Sequence, residues 1–252
     1  MGLVSRTTSR PAPFFQHWIF ETSGSVIYRV LPFAVYLAFL AFDQAMTWAT
    51  TNIHSLESLT GQLDLWLYPV KTAVVMGLLI GFWPKYKELK DNARADHKGL
   101  YLAVAVGLAV YVAWVRMDWP WAVQGRGEAS GYDPFRAGAR WGVAFAVIRL
   151  FGASVVVPIM EELFWRSFLL RYLISPQFET VRLGALTPFS FLATTILFGL
   201  EHDLWFAGMT AGMAYTLLLN RTGDLWSCIV AHAVTNFTLG VHVLITGEWK
   251  WW

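Results

Sequence analysis

Seven apolar runs of near-membrane length dominate the chain: 27–48, 63–83, 100–115, 141–174, 188–202, 204–219 and 225–245. A helix needs about 20 apolar residues to cross the hydrocarbon core. Only 14% of the 252 residues are charged, against about 25% in soluble domains. The chain therefore reads as an all-α, polytopic membrane helix bundle. Its length suits one membrane-embedded domain over 1–252, with the polar motifs confined to about 141–246. The run 141–174 is too long for one simple span and contains Pro158. Proline removes a helix hydrogen bond and crowds the preceding turn, so a kink or a break into two joined helices is expected there. The expected total is seven or eight transmembrane helices.

Charge sets the expected orientation. Lys85, Lys87, Lys90, Arg94 and Lys98 form the densest basic segment, which the positive-inside rule places in the cytoplasm. The N-terminal tail with Arg6 and Arg10, and the turns near Arg171, Arg182 and Arg221, follow it inside. The loop from about Met117 to Arg140 falls outside. It carries Arg126, Arg136 and Arg140, but also Asp118, Glu128 and Asp133. Its Gly125, Gly127, Gly131 and Pro134 suit a mobile loop or an interfacial cap. A net charge of +2 gives no footing for nucleic acid. The single cysteine, Cys228, excludes an internal disulfide and suits a small buried position. Trp48, Trp66, Trp83, Trp119, Trp121, Trp226, Trp249, Trp251 and Trp252 lie near segment ends, where amphipathic rings anchor a helix. In the 220–224 turn, Gly223 suits a helix stop and Asp224 a helix cap.

Against this background two adjacent acids, Glu161 and Glu162, stand inside an apolar run, followed by Arg166. A carboxylate at bilayer depth is costly, and marks function by default. Residues four apart share a helix face, so Glu162 and Arg166 are placed to pair and hold the acid helix. Glu161 projects about 100° away and has no partner on its own helix. A free carboxylate there is a candidate general base. Phe198 and His202 share a face on a later segment, and His232 and Asn236 on another. Two imidazoles, an amide and a free carboxylate can hold a water and stabilise the oxyanion formed when it attacks an amide. Glu161, His202 and His232 are also the donor set of an open catalytic zinc site. Both readings stand at this point.

Each residue alone has a plainer reading. A histidine or asparagine in a membrane helix often only bonds a neighbouring helix, and Glu162 with Arg166 serves as a structural tie. Lys71 and Arg149 suit snorkelling or pairing with an acid, with Arg149 also placed to face a cavity. Trp165 suits packing or a substrate groove. Glu201 and Asp203 flank His202, and either is placed to orient its second nitrogen. The ordered trio over three segments favours chemistry over these plainer roles.

The pattern Glu-Glu-x-x-x-Arg (Glu161, Glu162, Arg166), Phe-x-x-x-His (Phe198, His202) and His-x-x-x-Asn (His232, Asn236) resembles the CAAX prenyl protease and bacteriocin-processing (CPBP, Abi) family of intramembrane endopeptidases. The resemblance covers about 155–237 and includes the Asn220-Arg-Thr-Gly-Asp-Leu-Trp turn. It implies a multi-helix membrane protease whose site lies within the bilayer and opens to the cytosol. Glu161 would activate water, and His202, His232 and Asn236 would complete the site, with or without Zn2+. The HExxH zinc signature is absent. The implied partner is a membrane-anchored protein or peptide, prenylated or not, cut near its C-terminus, and the expected location is the bacterial inner (plasma) membrane with the N-terminus in the cytoplasm. The motif also resembles an exosortase-associated branch. Two other classes compete: a non-enzymatic membrane scaffold or bacteriocin-immunity protein, and a proton-relay transporter, which repeated halves or paired broken helices would favour and which the sequence lacks.

Overall fold

The computed structural model describes residues 14–52, 63–91, 97–124 and 131–252. The N-terminal tail with Arg6 and Arg10, and Arg94, Gly125, Arg126, Gly127 and Glu128, lie outside the described residues. Among the described residues the helices are α1 (Phe14–Asn52), α2 (Leu63–Phe82), α3 (Lys87–Asp91), α4 (His97–Trp114), α5 (Ala139–Tyr172), α6 (Pro188–Leu200), α7 (Trp205–Thr222) and α8 (Leu225–Thr246). No strand occurs among the described residues. Each of the seven apolar runs becomes a helix. Among the described residues five spans are long and apolar enough to cross a membrane: Gly24–Ala49, Leu65–Lys85, His97–Trp114, Ala139–Tyr172 and Leu225–Thr246. The helix Pro188–Leu200 is apolar but shorter, and α7 carries glycines, threonines and Asn220 that lower its hydropathy.

The Pro158 region resolves neither as a clean kink nor as two helices. The run α5 continues from Ala139 to Tyr172, with wider π turns at Gly152–Val156 and Leu163–Leu169 on either side of Val157–Glu162. The Val157 N–H reaches back five residues to the Gly152 carbonyl, and Leu170 N–H to Trp165. A π turn absorbs the proline by relaxing the ladder that its ring would obstruct. It also shifts the helix phase by one residue. Both Glu161 and Glu162 are buried, although they sit in the ordinary α segment between the π turns, where adjacent positions point about 100° apart.

Local chemistry sets the other ends. Thr187 and Ser190 form a reciprocal capping box at the start of α6. Gly223 takes φ 65° to end α7, and Asp224 accepts from Trp226 N and Ser227 N to open α8, as the turn's sequence implies. The loop before α5 folds back as a cap. Gln124 Nε2 donates to the Leu200 and His202 carbonyls at 2.7 and 2.9 Å, and Tyr132 OH donates to Leu65 O at 3.1 Å.

The bundle has two chemically distinct ends. At one, the Arg29 guanidinium grips Glu88 through two bonds of 2.8 and 2.7 Å, Ser167 donates to Glu88, and Arg171 donates to Ser167 Oγ at 2.8 Å. The helix α3, the end of α5 and the 173–186 segment meet there, and Asn220 donates to Gly184 O at 2.7 Å. At the other end lie the 115–124 and 131–138 segments, the starts of α2 and α7, and the C-terminal Trp249–Trp251 turn, where Tyr132 N donates to Trp252 O at 3.4 Å.

Candidate active site

One cavity of about 200 Å³ gathers the polar motifs: Glu161, His202, His232, Asn236, Phe198 and Arg149 all line it. Helices from across the bundle supply its wall, since Tyr36 of α1, Tyr68 of α2 and Trp114 of α4 also face it. Glu161 is 4% exposed, and its Oε2 has no hydrogen-bond partner. The acid thus faces a cavity rather than lipid, in the company of both imidazoles.

Each imidazole is held by its Nδ1. His202 sits in the turn just past α6, and its Nδ1 lies 2.7 Å from the Phe198 carbonyl oxygen. A carbonyl only accepts, so Nδ1 carries the proton and Nε2 is a bare lone pair in the neutral ring. The His232 Nδ1 lies 2.9 Å from Glu162 Oε1, and the same oxygen accepts from Arg166 Nη1 at 3.2 Å. Glu162 is thus both the expected partner of Arg166 and the acid that orients His232, a role the helix spacing alone did not suggest. The Tyr215 ring stacks on His232, with centroids 5.2 Å apart and planes 22° from parallel, and its hydroxyl donates to Thr235 at 2.8 Å. The His202 ring is fixed by Phe198 at 4.8 Å and by Trp114 at 5.3 Å. Asn236 Nδ2 donates once, to Ala153 O at 2.9 Å, so a second amide N–H and the carbonyl oxygen stay available.

Several expectations are corrected by these contacts. The His202 ring is oriented by a backbone carbonyl, not by Glu201 or Asp203. Glu201 accepts instead from Trp165 Nε1 at 3.1 Å, while Trp165 takes the packing role expected of it, among Phe33, Phe164 and Phe198. Lys71 and Arg149 meet aromatic rings rather than acids. The Lys71 ammonium lies 4.1 Å from the Tyr36 centroid, and the Arg149 guanidinium 4.2 Å from that of Tyr68. Trp251 and Trp252, read as interfacial anchors, line the cavity. Cys228 is buried, with its thiol on Tyr215 O at 3.3 Å.

The donor chemistry of Glu161, His202 and His232 suits zinc, and the partnerless Glu161 Oε2 is the kind of atom a metal would satisfy. Yet among the described residues no three His, Cys, Asp or Glu side chains come together closely enough to hold a metal ion. The fit of these residues to a metal is therefore incomplete. Tyr36, Trp114 and Tyr215 escaped sequence reasoning, because a lone aromatic in an apolar helix carries no signal of its own.

Residues 143–238 match the family model described as Rce1-like, type II CAAX prenyl endopeptidase Rce1-like. This stretch is similar to the CAAX-endopeptidase family. It spans both glutamates, both histidines and Asn236, the same motifs from which the resemblance was drawn. No curated protein and no solved structure matches the chain. The family is one of membrane proteases acting on peptide or protein substrates, and the multi-pass helical architecture agrees with it.

Proposed function

We propose that the protein, acting as one membrane-embedded unit, is an intramembrane endopeptidase that cuts a peptide bond near the C-terminus of a membrane-tethered protein or peptide, with Glu161 as general base. The observation that carries this reading is the partnerless carboxylate oxygen of Glu161 in a cavity that it shares with His202, His232 and Asn236. Water enters with its hydrogens toward Glu161 and the Nε2 lone pairs of the imidazoles. Glu161 takes one proton as the water oxygen attacks the scissile carbonyl carbon. The resulting oxyanion needs N–H donors. In their neutral forms both imidazoles offer lone pairs at Nε2, so the free N–H of Asn236 is assigned that task. The proton held by Glu161 then passes to the departing amine nitrogen as the C–N bond breaks.

Purified protein in proteoliposomes, given a lipid-anchored peptide reporter, tests this. Glu161→Gln should lower the cleavage rate by about 10²–10⁴-fold, the usual worth of a positioned base, with helicity and thermal unfolding unchanged. Unchanged turnover in that variant would remove Glu161 from the mechanism. A variant that loses stability or partner binding, with wild type showing no turnover at all, would favour a scaffold.

A further inference from the structure

Arg149 is the cavity's unexplained charge. It lines the same cavity as Glu161, yet no carboxylate lies within ion-pair distance of it among the described residues. Its Nε is buried without a hydrogen-bond partner. Its flat faces are occupied: the guanidinium carbon lies 4.2 Å from the Tyr68 ring centroid, 5.4 Å from Tyr132 and 5.9 Å from Trp252. Lys71 adds a second cation nearby, over the Tyr36 and Tyr68 rings at 4.1 and 5.0 Å. A charged side chain at membrane depth is expensive, and ring faces compensate it only in part. The Tyr68 hydroxyl also meets the guanidinium, which leaves the buried Nε without a partner, and a carboxylate is the group that pairs with a guanidinium fork through two parallel hydrogen bonds.

We infer that Arg149 is an anion subsite that holds the free C-terminal carboxylate of the peptide being cut, with Lys71 reinforcing the positive field. This rests on the peptidase reading and names the substrate feature that it selects. Arg149 and Glu161 lie on one helical run, roughly 18 Å apart along its axis at 1.5 Å per residue. At about 3.3–3.6 Å per extended residue, about five extended residues span that axial distance, and fewer suffice where the two side chains reach toward each other into the shared cavity. The two side chains would thus define where the cut falls relative to the substrate's end. Arg149 is a specificity and positioning residue in this scheme, and takes no part in bond breaking.

The test separates binding from turnover. A fluorescent lipid-anchored peptide is made with a C-terminal carboxylate or a C-terminal amide. Each is titrated against the Glu161→Gln protein in phosphatidylcholine nanodiscs. The acid should bind tighter than the amide by on the order of 10–100-fold, the worth of charge-assisted hydrogen bonds. That preference should vanish when Arg149→Gln is added, and shrink with Arg149→Lys, which keeps the charge and loses the fork. The lysine variant also serves if the glutamine variant does not fold. Equal binding of acid and amide, or a preference that survives both substitutions, overturns the inference. So does equal binding of both peptides that phosphatidylglycerol displaces, since the cation would then serve lipid phosphate. Wild-type protein that binds the acid selectively but never cleaves it would defeat the peptidase reading and leave the subsite standing.

Discussion

Glu162 carries two jobs on one oxygen atom, since Oε1 meets both Arg166 and His232. Replacing it with glutamine keeps the shape but removes the charge that both neighbours use. Partners that orient a catalytic imidazole are typically worth about 10–100-fold, so Glu162→Gln should lose about that much activity. It should also lose stability, because Arg166 is buried and stripping one member from a buried pair costs about 3–5 kcal/mol. Measuring cleavage and thermal unfolding together checks this. Glu161→Gln should reduce activity with the fold intact, whereas Glu162→Gln should reduce both. Full stability in Glu162→Gln would mean that Arg166 finds another anchor, such as the Gly212 carbonyl at 3.3 Å.

Two features of whole elements set how firmly that site is framed. The helices α4 and α8 pack along each other more extensively than any other pair, and Gly107 is the point of closest approach. A Cβ there would overlap the Ala231 carbonyl oxygen and meet Val234 Cβ. Small residues at such crossings let backbones meet. Gly107→Ala should destabilise the protein by about 1–3 kcal/mol, as overpacking does, and should disturb His232, the residue after Ala231. Thermal unfolding in detergent reads the first effect and cleavage rate the second. The second feature is the tie between α1, α3 and α5. Burial acts to raise the Glu88 pKa, but the Arg29 hydrogen bonds and charge, helped by the Ser167 hydroxyl, outweigh it and hold Glu88 below the ordinary carboxylate value. A depressed folded-state pKa stabilises at pH above the unfolded value of about 4.3, and that stability fades as pH falls through the folded value. Unfolding measured between pH 7 and pH 3 should therefore show a loss below about pH 4 that Glu88→Gln lacks, its own stability being lower throughout.

The whole molecule sets two expectations against each other. The basic segments at Lys85–Lys90, Arg171, Arg182 and Arg221 lie on or beside elements that meet at one end, tied by Glu88, Gly184 and Trp226, whose Nε1 donates to Leu89 O at 2.9 Å. The positive-inside rule assigns that end to the cytoplasm. Yet the cavity is lined by Trp114 at the end of α4, His202 beyond α6, and Trp251 and Trp252 beyond α8, all of which belong to the opposite end. With the basic end in the cytoplasm, these lining residues lie toward the far side of the membrane. Charge bias acts on short loops directly, so the expected outcome is a cavity mouth that faces away from the cytoplasm. Single cysteines at Lys90 and Trp121, in a background with Cys228 replaced by serine, check it. A membrane-impermeant maleimide added to intact cells should label the Trp121 position and spare Lys90. The reverse pattern would restore the cytosolic opening.

The sequence by itself determined that this chain is a helical membrane bundle, because runs of apolar residues at bilayer length leave little else. It also determined the turn at Gly223 and Asp224 and the pairing of Glu162 with Arg166, which depend on neighbours within one helical turn. The trio of motifs sufficed for the family resemblance for the same reason, since each is a four-residue spacing. Tertiary structure alone decided what crosses between helices: that Glu162 holds His232, that a backbone carbonyl sets the His202 ring, that Arg149 faces the cavity without an acid, and which end of the bundle the cavity approaches. These depend on helix phase, which the π turns around Pro158 shift by single residues, and on packing between segments distant in the chain. No local spacing encodes either.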